Sequence, residues 1–179
     1  MVKKPTLDMI DFFTRRTNAH IGAVNYFAGF FSVNFPDHDA SKFSEPERTP
    51  YIFSAAAKRL GFIGLDDDMK QGIKDAHDQH YKNNDHHPEF WKPITEMPNS
   101  CLKHMVCDWW AMLYESMYYG DPVAFGHVLD YYKAVACKKF DFAHHQKSEI
   151  ENAINHLDLQ NRDNRFDIEI KKIFDGCLA

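Results

Sequence analysis

Apolar residues recur every three or four positions along most of the chain, and this spacing constrains the fold more than any other feature. The first long segment shows it at Leu7, Ile10, Phe13, Ile21, Val24, Phe27, Phe30 and Phe31. Such spacing places side chains on one face of an α-helix. No segment alternates apolar and polar residues as a half-buried strand would. The sequence therefore predicts an all-α fold.

Caps, glycines and prolines divide this pattern into separate helices. We predict helices over residues 7–33, 50–60, 66–83, 99–119, 121–138, 143–158 and 163–176, with a short helix beginning near residues 37–39. Thr6 suits the N-cap of the first helix, and Asp121-Pro122 reads as a cap followed by proline at the first helical position. Gly61, Gly120 and Gly176 suit helix ends. Residues 83–98 contain three prolines, so we predict a loop there.

Length and composition predict one folded domain over residues 1–179. Hydrophobic residues make up 44% of the chain and aromatic residues 15%, which is typical of a globule with a core. The formal net charge of −5 disfavours stable nucleic-acid binding. We find no signal peptide and no apolar run of membrane-spanning length, and the four cysteines form no C-x-x-C pair. These features predict a cytoplasmic protein without a membrane partner, and they leave a homo-oligomer open.

The chemistry centres on residues 77–89, where four histidines fall within eleven positions. They are His77, His80, His86 and His87. Imidazole and carboxylate groups are the ligands that borderline divalent metals take. A metal site would need further ligands from elsewhere, and the chain offers His20, His38-Asp39 and Asp108. We therefore predict that separate segments converge on one or two metal ions.

Asp108 is the strongest of the distant candidates. It lies between Cys107 and Trp109 in one of the most apolar segments of the chain. A carboxylate is costly to bury unless it is paired or binds a metal, so we favour a ligand over a solvated helix residue. His104 lies one turn before Asp108 and shares its face, where it is either a ligand or the partner of one.

The order of these residues resembles the HD-domain metal-dependent phosphohydrolase superfamily. More closely, it resembles a small phage and bacterial family of unknown function within or near that superfamily. The motifs that carry the resemblance are His20, His38-Asp39-Ala-Ser-Lys42-Phe43, His80-x3-Asn84-Asp-His86-His87-Pro-Glu89-Phe-Trp91, Met97-Pro98 and Cys107-Asp108-Trp109. Together they cover roughly residues 18–115. The resemblance implies an HD-domain-like helical bundle.

The resemblance also implies a metal centre. One divalent ion (Mn, Mg, Zn, Co or Fe) would be held by His20, His38, Asp39 and Asp108. A second would be held by Asp39 together with His80 and either His86 or His87. His86 follows His80 by only six positions, whereas dinuclear members of the superfamily usually carry these two histidines on separate helices. The alternative is that these histidines bind substrate phosphate or act as acid and base.

The expected activity is hydrolysis of a nucleotide or a related phosphate ester by a metal-activated water. Lys42, Lys82 and protonated His87 are the candidate cations for the phosphoryl oxygens. Glu47 or Glu89 would orient the water or accept its proton, unless each is simply a solvated loop residue. Two alternatives stay open: a di-iron oxygenase of the HD type, and a metal-binding protein without turnover. Metal content and colour distinguish the oxygenase, and a nucleotide panel without hydrolysis would identify the binding protein.

Overall fold

The computed structural model of the chain describes residues 4–59 and 64–178, and within these ranges every regular element is a helix. The all-α prediction is confirmed. The α-helices are α1 (Leu7–Gly29), α2 (Arg48–Arg59), α3 (Asp67–Asn83), α4 (Asn99–Tyr119), α5 (Val128–Tyr131), α6 (Cys137–Lys139), α7 (His144–Gln160) and α8 (Arg165–Leu178). Short 3-10 helices cover Ala40–Phe43, Pro88–Phe90, Ile94–Glu96 and Arg162–Asn164. None of the described helices combines the length and apolar character needed to cross a membrane.

The main core lies between α1, α4, α7 and α8. Its fully buried side chains include Phe27, Leu102, Ile154, Phe166 and Phe174. A second, smaller apolar cluster joins α1 to α2 through Phe13 and Ile52. Because α1 and α4 pack against each other at the centre of this arrangement, polar residues on their facing surfaces are enclosed by the fold.

Most helix boundaries follow the local sequence signals. The Thr6 side chain caps α1 by accepting a hydrogen bond of 3.3 Å from the backbone N–H of Met9. Gly120 ends α4 with a left-handed φ of 68°, a conformation that glycine adopts at no steric cost. Gly61 lies outside the described residues. The predicted stop at Gly176 is wrong, because α8 continues to Leu178.

Two predicted boundaries differ because of local hydrogen bonds. Helix α1 ends at Gly29 and not near residue 33, and Ser32 has a left-handed φ of 56°. The helix predicted to begin at Asp121 begins at Val128. The backbone N–H of Asp121 donates to Ser116 at 2.8 Å and so completes the end of α4. His127 is the cap instead, since its side chain accepts from the backbone N–H of Leu129 at 3.0 Å.

The segment after α5 is a π-helix over Tyr132–Ala136, which leads directly into α6. Such turns are rare and occur frequently at functional sites. Tyr132 is fully buried in the main core, whereas Tyr131 is only half-buried. Neighbouring helical residues point in directions about 100° apart, so the two tyrosines face different surroundings.

The loop between α3 and α4, residues 84–98, is held by side-chain hydrogen bonds. The Trp91 indole donates to the carbonyl of Asp85 at 2.8 Å. The fully buried side chain of Gln146 in α7 donates to the carbonyls of Ile94 and Met97, at 3.0 and 2.9 Å. These bonds fix the loop that carries His86 and His87 against the helical core.

Candidate metal centre

Four side chains from three parts of the chain meet between α1 and α4, and we call them the first group: His20, His38, Asp39 and Asp108. His20 Nε2 lies 3.1 Å from His38 Nε2 and 3.0 Å from Asp108 Oδ1. Asp39 Oδ2 lies 3.8 Å from His20 Nε2 and 3.6 Å from His38 Nε2. With metal–ligand bonds of about 2.1 Å, neighbouring ligands of one ion lie about 3.0–3.4 Å apart. The ligand atoms of His20, His38 and Asp39 are thus close enough to hold one ion, and Asp108 Oδ1 lies beside both histidines, 3.0 Å from His20 Nε2 and 3.7 Å from His38 Nε2.

The backbone explains how adjacent residues reach one point. Asp39 has a left-handed conformation with φ 59° and ψ 13°, which an aspartate adopts more readily than most residues. It directly precedes the 3-10 helix Ala40–Phe43. His38 and Asp39 are both 2% exposed, so this turn buries both side chains at the surface of α1 and α4.

Two further residues, Glu115 and Arg16, lie on the side of His20 away from the first group, and neither is among the residues predicted from the sequence. His20 Nδ1 lies 2.8 Å from Glu115 Oε2, and Glu115 is ion-paired with Arg16. Burial disfavours protonation of His20, but its contacts with Asp108 and Glu115 raise its pKa to about 10. Burial alone would raise the pKa of Glu115, but its contacts with His20 and Arg16 lower it to about 2. A signal existed in the sequence, because Glu115 lies two turns after Asp108 in an apolar helix.

Lys42 forms an ion pair with the carboxylate of Asp39. Its Nζ lies 2.5 Å from Asp39 Oδ2, and its side chain is 19% exposed. Burial works against both charges, but the ammonium holds the pKa of Asp39 well below its usual range, and Asp39 raises the pKa of Lys42. Both groups are therefore ionised, and the ammonium lies beside the oxygen that the first group would offer to a metal.

A second group lies on the other oxygen of Asp39 and consists of Asp39, His80, His86 and His87. His80 Nε2 and His86 Nε2 lie 3.0 and 3.9 Å from Asp39 Oδ1. One ring nitrogen from each of the three histidines falls within 4.8 Å of the others. Burial lowers the pKa of His86 to about 4 and of His87 to about 2. These imidazoles are therefore neutral near pH 7 and present lone pairs, as a metal site requires.

His80 and His86 reach the same carboxylate although only six positions separate them, because helix α3 ends at Asn83 and a turn follows, in which the backbone N–H of His87 donates to the carbonyl of Asn84 at 3.0 Å. His80 lies in the last turn of α3. Asn84 leaves the helix with an extended backbone, and its side-chain amide donates to the carbonyl of His80 at 2.8 Å. His86 then returns to the rings of His38 and His104, with centroids 4.6 and 4.4 Å away.

His86 and His87 have different surroundings. His86 is 2% exposed and faces the carboxylate of Asp39. His87 is half-buried, packs against Tyr81 with ring centroids 4.7 Å apart, and lines the adjacent cavity. The Nε2 atoms of both histidines are buried without a hydrogen bond to any described residue. Orphaned nitrogens of this kind are costly without a partner, so the residues of this group fit a bound ion.

Glu47 is buried and is committed to His80. It lies 2.9 Å from His80 Nδ1 and accepts a hydrogen bond of 2.9 Å from the Ser41 hydroxyl. The solvated interpretation of Glu47 is wrong, because this residue is only 2% exposed. Glu89 does line the cavity, where it pairs with Lys139 at 2.7 Å. Glu47 therefore orients the ring of His80, and Glu89 faces the cavity.

His104 lies behind His38. Its Nε2 is 2.9 Å from His38 Nδ1, and its ring stacks on Phe35 with centroids 3.7 Å apart. Burial lowers the pKa of His104 to about 4. His38, His86 and His104 also form a group whose nitrogens are close enough to hold an ion. Because His38 uses its other nitrogen in the first group, the role that this geometry favours for His104 is to fix the orientation of His38.

An open cavity of about 640 Å³ lies in front of both groups. His20, Asp39, Lys42, His80, His87 and Asp108 are part of its lining. His38 and His86 are not part of its lining and stand behind it. Lys82 is exposed and lies outside the lining, so this candidate cation is not brought to the site. The volume is within the usual range for a small-molecule site.

The chain belongs to a family that is described as a family of unknown function, DUF5662, whose model matches residues 9–175. This match covers both ligand groups and the eight α-helices of the described residues, except for the first two residues of α1 and the last three of α8. No curated protein and no solved structure matches the chain.

Proposed function

We propose that this member of the DUF5662 family is a metal-dependent phosphohydrolase that acts on a nucleotide or a related phosphate ester. The first group would hold one divalent ion, and the second group would hold another, with Asp39 contributing one carboxylate oxygen to each. The HD-type order of the six ligands in the sequence supports this proposal.

One observation carries the proposal more than any other. In the first group each histidine nitrogen lies 3.0–3.8 Å from the other histidine nitrogen and from both carboxylates, and the ammonium of Lys42 lies beside Asp39 in the lining of an open cavity. A metal site that faces a cavity and has a neighbouring cation combines a source of nucleophile with a group that binds anions. The imidazole nitrogens of both groups suit zinc and iron, whereas the carboxylate oxygens suit manganese and magnesium.

The chemistry divides between the ion and the chain. A divalent ion lowers the pKa of a bound water from about 15.7 towards about 7, which supplies a hydroxide nucleophile at neutral pH. Lys42 would bind a phosphoryl oxygen and stabilise the negative charge that develops on it. His87, which lines the cavity with an orphaned Nε2, would either complete the second ligand set or contact the phosphoryl group.

The carboxylates have separate tasks in this proposal. Glu115 and Glu47 hold the outer nitrogens of His20 and His80, so that each ring directs Nε2 toward the ligand group. The task of orienting a water does not suit Glu47, since its contacts are with Ser41 and His80. Glu89 would orient the water instead, because it lines the cavity.

A di-iron oxygenase is the second candidate, and one observation favours it. An oxygenase of the HD type requires all six ligands, and the spacing of His80 and His86 argued against this in the sequence. The turn after α3 brings both histidines near Asp39, so their close spacing in the sequence is compatible with the six-ligand set. Iron that copurifies with the chain, with absorbance in the visible range, would favour the oxygenase.

The test is a phosphate-release assay with the Mn²⁺-loaded protein over a panel of nucleotides and simple phosphate esters. We expect turnover that chelation abolishes. Asp39→Ala should lower kcat/KM by about 10³-fold, while the matched variant Asp37→Ala, at an exposed residue two positions away, should retain the activity. Retained hydrolysis and metal content in Asp39→Ala would contradict the proposal.

A further inference from the structure

One part of the cavity lining is aromatic and aliphatic, unlike the metal-ligand groups that share the cavity with it. Trp109, Phe125, Tyr131 and Phe140 form this part together with the aliphatic residues Met112, Leu113 and Val123. Trp109 directly follows the ligand Asp108, so this apolar wall begins where the first group ends. The position of the wall suits the part of a substrate that extends away from its phosphoryl group.

The aromatic rings of this wall are arranged edge to face. Tyr131 lies 5.2 Å from Trp109 with an interplanar angle of 77°, and 6.1 Å from Phe125 with an angle of 64°. All three side chains are half-buried, so part of each ring stays accessible. The π-helix that follows Tyr131 begins with the fully buried Tyr132, which anchors this segment in the main core.

Several charged side chains of the cavity lining form ion pairs with one another. Lys139 pairs with Glu89, Lys42 with Asp39, and Arg16 with Glu115. Lys139 also places its ammonium over the ring of Phe140, 4.8 Å from the ring centroid, so the uncharged part of the wall consists of Trp109, Phe125 and Tyr131. Uncharged aromatic surface next to a metal-ligand group suits a flat, uncharged substituent, because a ring gains stacking contacts there without the desolvation of an ion.

We propose that this wall is a subsite for the flat aromatic group of a phosphate monoester whose phosphoryl group binds at the metal-ligand groups. A nucleobase and a simple arene share this chemistry. The inference rests on the proposed function for the placement of the phosphoryl group, and it adds the class of the remaining part of the substrate. Tyr131 is its specificity-determining residue, because it contacts both Trp109 and Phe125.

The test compares two esters with similar leaving groups and different ring shapes, benzyl phosphate and cyclohexylmethyl phosphate. With the Mn²⁺-loaded protein we expect kcat/KM to be about tenfold higher for benzyl phosphate, since stacking of one ring contributes about 1–3 kcal/mol. Tyr131→Ala should remove this preference, and Tyr131→Phe, which keeps the ring, should retain it. Tyr118→Ala is the control, because Tyr118 lies on α4 outside the cavity lining. A higher kcat/KM for adenosine monophosphate than for benzyl phosphate would identify the flat group as a nucleobase.

A binding measurement separates this inference from the proposed function. Calorimetry with benzylphosphonate and cyclohexylmethylphosphonate needs no turnover. If no ester is hydrolysed but benzylphosphonate binds about tenfold more tightly and loses this advantage in Tyr131→Ala, the subsite stands and the hydrolase proposal fails. Equal handling of both ring shapes by the wild-type protein, or an equal loss for both in Tyr131→Ala, would overturn the subsite while hydrolysis persists.

Discussion

The two ligand groups share Asp39 but are built in different ways. The first group joins segments far apart in sequence, with 88 positions between His20 and Asp108, and two of its members lie on the helices of the main core. The second group comes from the end of α3 and the loop 84–98, where His80, His86 and His87 lie within eight positions. The first contains two carboxylates and the second only one.

This difference predicts different electrostatics. In the first group His20 is protonated and hydrogen-bonded to Asp108 in the metal-free chain, so an ion must displace a proton there. In the second group His86 and His87 are already neutral, so an ion displaces no proton from them. The second group depends instead on Asp39 for its negative charge.

The largest expected effect is the loss of the shared ligand. Asp39→Ala should reduce the metal content from two ions per chain to none, because both groups lose their common carboxylate. Asp108→Ala should remove only the ion of the first group. Metal analysis after gel filtration measures both stoichiometries, and we expect kcat/KM to fall by about 10³-fold in Asp39→Ala.

If Asp39→Ala and Asp108→Ala had the same metal content, the division of the site into two groups would be wrong.

The carboxylates behind the histidines should act on one group each. Glu115→Gln removes the charge that supports His20, and Glu47→Gln removes the one that supports His80. Loss of such an outer partner typically lowers metal affinity by about 10–100-fold. Competition with a fluorescent chelator should therefore show one weakened ion in each variant, and a different one.

The exposed residue Glu45 provides the control for that experiment as Glu45→Gln. Equal weakening of both ions by either variant would mean that the two groups cannot be separated.

The metal-free chain should lose stability at both ends of the pH range. The pKa of His20 is raised from 6.5 to about 10, so its contribution is fully present below pH 6.5 and is lost as the pH rises towards 10. The pKa of His86 is lowered from 6.5 to about 4, so stability is lost as the pH falls from 6.5 to 4. Urea unfolding in the presence of a chelator measures both changes in the free energy of unfolding.

Substitution of each histidine separates the loss of stability at high pH from the loss at low pH. His20→Asn should flatten the loss above pH 6.5, and His86→Asn should reduce the loss below it. A profile that neither substitution alters would show that other groups govern the pH dependence.

The smallest effect should come from removing the two hydrogen bonds by which Gln146 holds the loop of the second group. Gln146→Ala leaves the carbonyls of Ile94 and Met97 without their donor, which costs about 1–3 kcal/mol of stability. We expect a lower melting temperature and a weakening of a few-fold for the ion of the second group. Because the hydrogen bonds of the Gln146 side chain go to the loop carbonyls and to Ala143, and not to the first group, that group should keep its affinity.

Local sequence signals were sufficient for much of the fold. Apolar spacing predicts the all-α class, and the capping preference of threonine and the left-handed freedom of glycine locate the ends of α1 and α4. The signal failed at Asp121-Pro122, since the ends of α4 and α5 depend on hydrogen bonds from Asp121 and His127. The π-helix at Tyr132 has no sequence signature that we could have used.

The ligand order placed six candidate residues, but it contained no information about their supports. Glu115 and Arg16 become relevant only when α1 packs on α4, and Glu47 only when α3 brings His80 beside it. The choice between His86 and His87 depends on how the chain turns at Asn84, which spacing alone cannot define. Supports of this kind arise from tertiary contacts, so a linear pattern cannot reveal them.

The central claim is that Asp39 bridges two ions, and anomalous diffraction from crystals grown with Mn²⁺ tests it most directly. We predict two manganese peaks on opposite oxygens of Asp39, one also bound by His20, His38 and Asp108, and the other by His80 and His86. Crystals that show no manganese at Asp39, or manganese bound only by other residues, would contradict the claim.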